Sequence, residues 1–482
     1  MTLNNTNHRS AQIYPARSQR ARRPLRFIKS LIACVYTLLL LATANAGDLH
    51  IGVSQRIITP EIGTPMAGYY FDRGAEGVHD DLYTKAMVLE KDGRKVVLIS
   101  CDLIEIPNYL VDEIRAEIHN QTGIPAAHVM LSATHAHTGP VIPEFPIGVQ
   151  SAHELVKSYA QALPEKIAKN VKQANAALQP ASLQYGLGQE TTLSFNRRFL
   201  MKDGSVRFNP GKSNPDKIRP VGPIDPDVPV LYAETTPGLP LAIFVSFAMH
   251  LDTVGGLAFS ADYPYTLAKI LSAVKSPDLM TLFTMGCSGN VNHLNFFDAK
   301  RQKGHDEAAR IGTVLGGEVL KTLMRLEPVD ADEIKIARRV IDLPLVDVEP
   351  SERQAAEKII ATYGTENPAP FMDMVNAFKI KDVLERNGKP LRGEVQVVTL
   401  GNDVAIVGLN GEIFVELGLA IKASSPYPLT IVSSLTNGTV GYVPDRKAYA
   451  EGHYEPVSAR CAAGSGEMLV ETAVDLLHDL FR

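Results

Sequence analysis

Tryptophan is absent from the sequence and aromatic residues make up only 7% of it, so its composition does not call for an aromatic-lined polysaccharide groove, although tyrosine can also build one. Clusters of basic residues are missing beyond the first thirty positions. With a formal net charge of −5 and a sequence pI near 6.2, the chain lacks the electrostatic footprint of a nucleic-acid binder. Internal repeats, low-complexity tracts and Ser/Pro linkers are missing too, which excludes solenoids and arrays. Cysteine is scarce. Outside the first 46 residues only Cys101, Cys287 and Cys461 occur, at spacings that match no cysteine-based metal site. An odd number in an exported chain leaves at least one thiol free or paired between chains. Cys101 follows the apolar run 96–100 and reads as core packing.

What remains is an ordinary globular composition, 482 residues with 45% hydrophobic. Residues 1–46 have the form of a secretory signal peptide: Arg17, Arg20, Arg22, Arg23, Arg26 and Lys29 precede an apolar run over 31–44 and the small residues Ala44-Asn-Ala46. This implies export to the periplasm or beyond, with no stable membrane span after cleavage. From residue 47 to 482, β-rich runs alternate with helical periodicity. The pattern predicts an α/β fold, a mixed-sheet single large globular domain with its site at strand ends. Strands are expected at 49–58, 83–90, 95–102, 127–133, 182–190, 229–235, 241–249, 279–284, 333–344, 393–401, 403–409 and 429–434. Helices are expected at 108–121, 151–177, 261–274, 305–326, 350–363, 413–424 and 466–481. The Pro- and Gly-rich stretch 201–228 reads as a long loop facing the substrate, and 346–392 as a helical excursion from the sheet.

Chemistry concentrates where predicted strands end. In an extended segment residues two apart face one side, so His135 and His137, just after the strand 127–133, can aim at one point. Neutral imidazole is a preferred zinc ligand, and catalytic zinc takes three protein ligands with a position left open. His250 ends the strand 241–249 and is as readily a satisfied core histidine. Glu412 follows the strand 403–409 and Gly411; it can complete a His, His, Glu set or simply favour the start of the next helix. Taken alone, Tyr442 reads as packing. Asp262 reads as the N-cap of the helix behind it, and Asp102 as a carboxylate able to orient a ligating histidine. Ser288 lies in Gly286-Cys-Ser-Gly-Asn290, one residue short of a nucleophile elbow.

In this order Thr134-His-Ala-His-Thr-Gly-Pro140, Phe195-Asn-Arg197, Met249-His250, Gly411-Glu412, Gly441-Tyr-Val443 and Tyr454-Glu455 resemble the neutral/alkaline non-lysosomal ceramidase family, specifically its N-terminal catalytic domain. The resemblance runs from Ile51 to the final helix. It implies Zn2+ held by His135, His250, Glu412 and Tyr442, with His137, Arg197 and Tyr454 around the reacting amide. It also implies hydrolysis of a small-molecule or lipid N-acyl substrate, a ceramide-like lipid among them. Two departures stand out. Gly289-Asn-Val-Asn-His293 replaces the family's Gly-Asp-Val-Ser, so Asn290, Asn292 and His293 are expected to line the substrate site, and the family's C-terminal β-sandwich is expected to be lacking. A zinc esterase or lactonase, or a non-catalytic lipid- or sugar-binding relative, fits the same residues.

Overall fold

The structure, a computed structural model, describes residues 48–71, 73–143 and 153–481; the expected signal peptide lies outside the described residues. A nine-stranded mixed sheet forms the centre. Its main path runs Met280–Met285, Pro240–Phe247, Asp227–Thr235, Gln179–Gln189, His50–Ile57, Tyr83–Lys91, Arg94–Cys101, Val129–Ala133, and the outermost pair at each end is parallel while the inner pairs are antiparallel. A second sheet of four strands, Ile334–Leu343, Leu391–Leu400, Val404–Leu409 and Leu429–Ser433, lies against it.

The layering follows from a period of two inside apolar runs that leave neither face polar. In the strand Arg94–Cys101, Val96 and Leu98 enter a core shared with Val398, Leu400, Val404 and Ile406 of the smaller sheet, whereas Val97 and Ile99 pack under helices. In Val404–Leu409 the alternation is mirrored, with Ala405, Val407 and Leu409 turned to the opposite side. The result is helices, large sheet, small sheet, helices. Asn108–Thr122, Glu154–Ala176, Tyr263–Lys275 and His305–Thr322 cover the large sheet; Val415–Ser424 and Ser465–Phe481 cover the small one.

Two segments are more ordered than their composition suggests. Part of 201–228 is not loop: Arg198–Met201, Val206–Phe208 and Lys217–Pro220 form a three-stranded sheet, with turns and irregular chain between them. The segment between Leu343 and Leu391 folds into two helices, Arg353–Ile360 and Phe371–Glu385. Its second helix brings Phe371 and Phe378 against Tyr70. Cys101, Cys287 and Cys461 are all buried and unpaired. Among the described residues no helix is long and apolar enough to cross a membrane.

Candidate metal centre and active site

The chain leaves the buried strand Val129–Ala133 and enters the left-handed region at His135, φ 72°. That conformation costs a side-chain-bearing residue about 1 kcal/mol or more. Two bonds hold it there: the His135 N–H donates to the Leu103 carbonyl at 2.9 Å, and Nδ1 to the Ile104 carbonyl at 2.9 Å. His250, just beyond the strand Pro240–Phe247, is anchored in the same way, with Nδ1 2.9 Å from the Ser288 carbonyl. A donor role for Nδ1 fixes the tautomer, so each ring presents a bare Nε2 to the interior.

Glu412 and Tyr442 lie 30 positions apart in sequence, yet the two-residue strands Glu412–Ile413 and Tyr442–Val443 pair in parallel with Glu412 opposite Tyr442. Glu412 Oε2 is 3.4 Å from His135 Nε2 and 3.2 Å from His250 Nε2. Neither Glu412 Oε2 nor His250 Nε2 has a hydrogen-bond partner among the described residues, although both are buried. Buried polar atoms left in this state while converging on one point fit a cation. His137 Nε2 is 3.2 Å from His135 Nε2, so the three histidines also form a compact group. His137 differs from the other two in one respect: its Nδ1 is buried with no partner.

The electrostatics separate these groups. Burial opposes a charge on Glu412, but His135 and His250 beside it hold its carboxyl well below the usual range. Burial likewise works against a charged His135, and Glu412 outweighs it and raises the imidazole. His250 is pushed down to about 4 by burial and by Arg197. His137 is driven well below its ordinary value by burial and by His135. The neutral ring is therefore its favoured form. Burial and Glu412 raise the Tyr442 phenol well above its ordinary value, opposed by Arg197.

Arg197 is the hub of the polar wall. Its Nη2 donates to the Tyr442 hydroxyl at 3.0 Å and the Gly289 carbonyl at 2.7 Å, and its Nε donates to Glu455 Oε1 at 2.9 Å. The Tyr454 ring lies 5.5 Å from that of Tyr442, and Phe208 packs 4.5 Å from Tyr454, so part of the 201–228 segment does reach the site.

Other expectations need correction. Asn290 accepts from the Val415 N–H and donates to Glu416, which fastens the helix Val415–Ser424. Asn292 bonds Asn209 and the Leu294 N–H, and His293 bonds Asp252 and the Gln302 carbonyl. All three are buried with their polar atoms engaged by protein, and none lines the cleft that opens on the metal centre. Asp102 accepts from the Tyr83 N–H and approaches Thr134 instead of a histidine ring, because the Ile104 carbonyl takes the orienting role. Ser288 contributes its carbonyl to His250 and buries its hydroxyl. Asp262 does cap its helix, accepting from the Tyr263 N–H at 2.7 Å. The sequence reading missed Glu105, a cleft residue whose carboxyl burial and Glu412 push up to about 7, along with Tyr70 and Arg460. It also missed Asp252, which lies two positions past His250 and whose charge is felt at His137. For Asp252 and Glu105 a signal existed, since each closely follows a strand end.

The sequence profile described as neutral/alkaline non-lysosomal ceramidase, N-terminal, matches residues 49–216, which include the His135 and His137 segment and Arg197. This match supports assigning the chain to the neutral/alkaline non-lysosomal ceramidase family. It is 29% identical over 216 residues to the neutral ceramidase of Pseudomonas aeruginosa, an alignment covering 42% of this chain and 30% of that relative. The crystal structure of neutral ceramidase from Pseudomonas aeruginosa matches at a TM-score of 0.70 with 20% identity, over 90% of this chain and 74% of that one. A ceramidase complexed with C2 matches at 0.71 with 21% identity, over 90% and 75%. These two likenesses establish the ceramidase-family α/β fold for this chain.

Proposed function

We propose that this ceramidase-family chain is an exported zinc-dependent hydrolase that cleaves the amide bond of an N-acyl compound. The observation that carries the reading is the convergence of His135 Nε2, His250 Nε2 and Glu412 Oε2, two of them buried without partners, beside the Tyr442 hydroxyl. His135, His250, Glu412 and Tyr442 would hold the ion, and their nitrogen and oxygen donors suit zinc. When bound, such an ion polarises a carbonyl and acidifies water.

The remaining roles belong to the protein. Neutral His137 takes a proton from the water that attacks the carbonyl carbon, then delivers it to the amine nitrogen as the C–N bond breaks, leaving a carboxylate and a protonated amine. Arg197, held by Glu455 and Gly289, keeps positive charge against Tyr442, which favours an ionised phenol as a ligand, while Tyr454 offers its hydroxyl to the substrate oxygen. The leader over 1–46 supports export.

The test is zinc content and hydrolysis of a panel of N-acyl lipids, N-acyl amino acids and N-acetylated sugars by the purified protein, with a chelated control. Chelation is expected to abolish hydrolysis. Metal-loaded protein that cleaves no amide in the panel contradicts the proposal.

A further inference from the structure

The cleft that opens on the metal centre has a volume of about 1170 Å3, room for several ring-sized groups. Its walls differ from those of a hydrocarbon tunnel. The acidic side chains Glu105, Asp382, Glu385 and Glu412 line it, and so do four basic ones, Lys381, Arg386, Arg392 and Arg460. Away from the metal centre most of these charges neutralise one another. Lys381 pairs with Glu385 at 2.8 Å, Arg392 with Asp112 at 2.6 Å, and Asp382 receives Arg460 at 2.6 Å and Arg386 at 3.3 Å. An aliphatic chain laid along such a wall would strip water from ion pairs and return nothing to them. Four basic side chains here meet the acidic partners Glu385, Asp112 and Asp382, so most of the charge on this wall is already engaged within the protein. Its fixed donors and acceptors suit uncharged hydroxyl groups.

Two further features agree. Glu105 is 8% exposed and receives a hydrogen bond from Thr439, but it forms no ion pair among the described residues. It is a buried acceptor open to a ligand beside the metal centre. Rings line the same cleft: Tyr454 and Phe378 lie 6.5 and 6.4 Å from Tyr70, and Tyr363 lies 5.6 Å from Phe378. Aromatic faces take the apolar face of a sugar ring while directional polar groups take its hydroxyls.

We propose that the cleft takes a neutral, polyhydroxylated N-acyl substrate, an N-acylated amino sugar within an oligosaccharide, in place of a two-chain lipid amide. This rests on the amide-hydrolase reading and names its substrate class. Deacylation would consume one water, release a short carboxylate and leave a free amine on the sugar, still within the oligosaccharide.

The experiment uses the full metal-loaded chain and three probes: the tetramers of N-acetylglucosamine and of N-acetylgalactosamine, and a long-chain ceramide in mixed micelles. Calorimetry reads binding and released carboxylate reads cleavage. Saturable binding and deacetylation of a tetramer are expected, with Glu105→Gln and Tyr363→Ala each weakening binding roughly 10-fold. Tyr363→Ala is expected to keep its full zinc content, so that lost binding does not reflect a lost metal. Cleavage of ceramide with neither tetramer bound overturns the inference and leaves the hydrolase standing. A tetramer bound with no amide cleaved upholds the ligand class and removes the hydrolase.

Discussion

Arg197 donates its Nε to Glu455 Oε1 at 2.9 Å, and both side chains are almost completely buried. The neighbouring Arg198 donates to the other oxygen of Glu455 at 3.0 Å and to Glu451 Oε2 at 3.1 Å, so Glu455 bridges two consecutive arginines inside the protein. Removing one member of a buried ion pair leaves its partner, here Arg197, unpaired in a poorly polarisable interior, which costs about 3–5 kcal/mol. Glu455→Ala is therefore expected to lower unfolding stability by about that amount in a urea titration. Because Arg197 also holds the Tyr442 hydroxyl, the variant should bind zinc less tightly as well. A stability within about 0.5 kcal/mol of the parent would contradict this account.

Two glycines test the proposed metal ligand and the proposed proton carrier separately. A β carbon at Gly289 would lie 2.5 Å from the Glu412 carbonyl oxygen, a backbone atom that cannot give way without moving the Glu412 side chain. At Gly68, φ +99°, it would lie 2.7 Å from the His137 ring. Gly289→Ala is expected to lower zinc content in the purified protein. Gly68→Ala should keep zinc and lose turnover, about 10-fold or more. Equal loss of metal in both would contradict the separate roles proposed for Glu412 and His137.

Asp102 gives a pH-dependent prediction. Burial raises its carboxyl to about 6 in the folded protein, against about 3.9 for an unperturbed aspartate. Between those values the folded state keeps a proton that the unfolded state has released. Stability from this group is full below about pH 4, declines as pH rises, and levels off above about 6. Asp102→Asn does not titrate. The stability of the variant relative to the parent should accordingly rise on the order of 2–3 kcal/mol from pH 4 to 7 in denaturant titrations. A difference that is flat with pH would refute the assignment.

Much of this was legible in the sequence because it rests on local pattern. The apolar runs of the strands Arg94–Cys101 and Val404–Leu409 announce themselves, and the strand-end positions of His135, His250 and Glu412 follow from them. Tyr442 was named only through the family resemblance, because its place opposite Glu412 depends on a pairing between segments 30 residues apart. Asn290, Asn292 and His293 misled for a related reason. A polar cluster after a strand looks the same in sequence whether it faces a substrate or fastens a neighbouring helix, and here Val415 and Glu416 claim Asn290. The cleft wall at Asp382 and Arg460 was invisible, since those partners are brought together by tertiary packing alone.

The two histidines of the Thr134-His-Ala-His-Thr138 segment supply the most direct test. His135 is anchored through Nδ1 with Nε2 facing Glu412, while His137 has a buried, unpartnered Nδ1. Zinc content and turnover are to be measured together on His135→Ala and His137→Ala. His135→Ala is expected to lose the metal and all activity; His137→Ala is expected to retain stoichiometric zinc while turnover falls about 10^2- to 10^4-fold. Full zinc content in His135→Ala, or loss of zinc in His137→Ala with His135 intact, would contradict the division of labour on which the account depends.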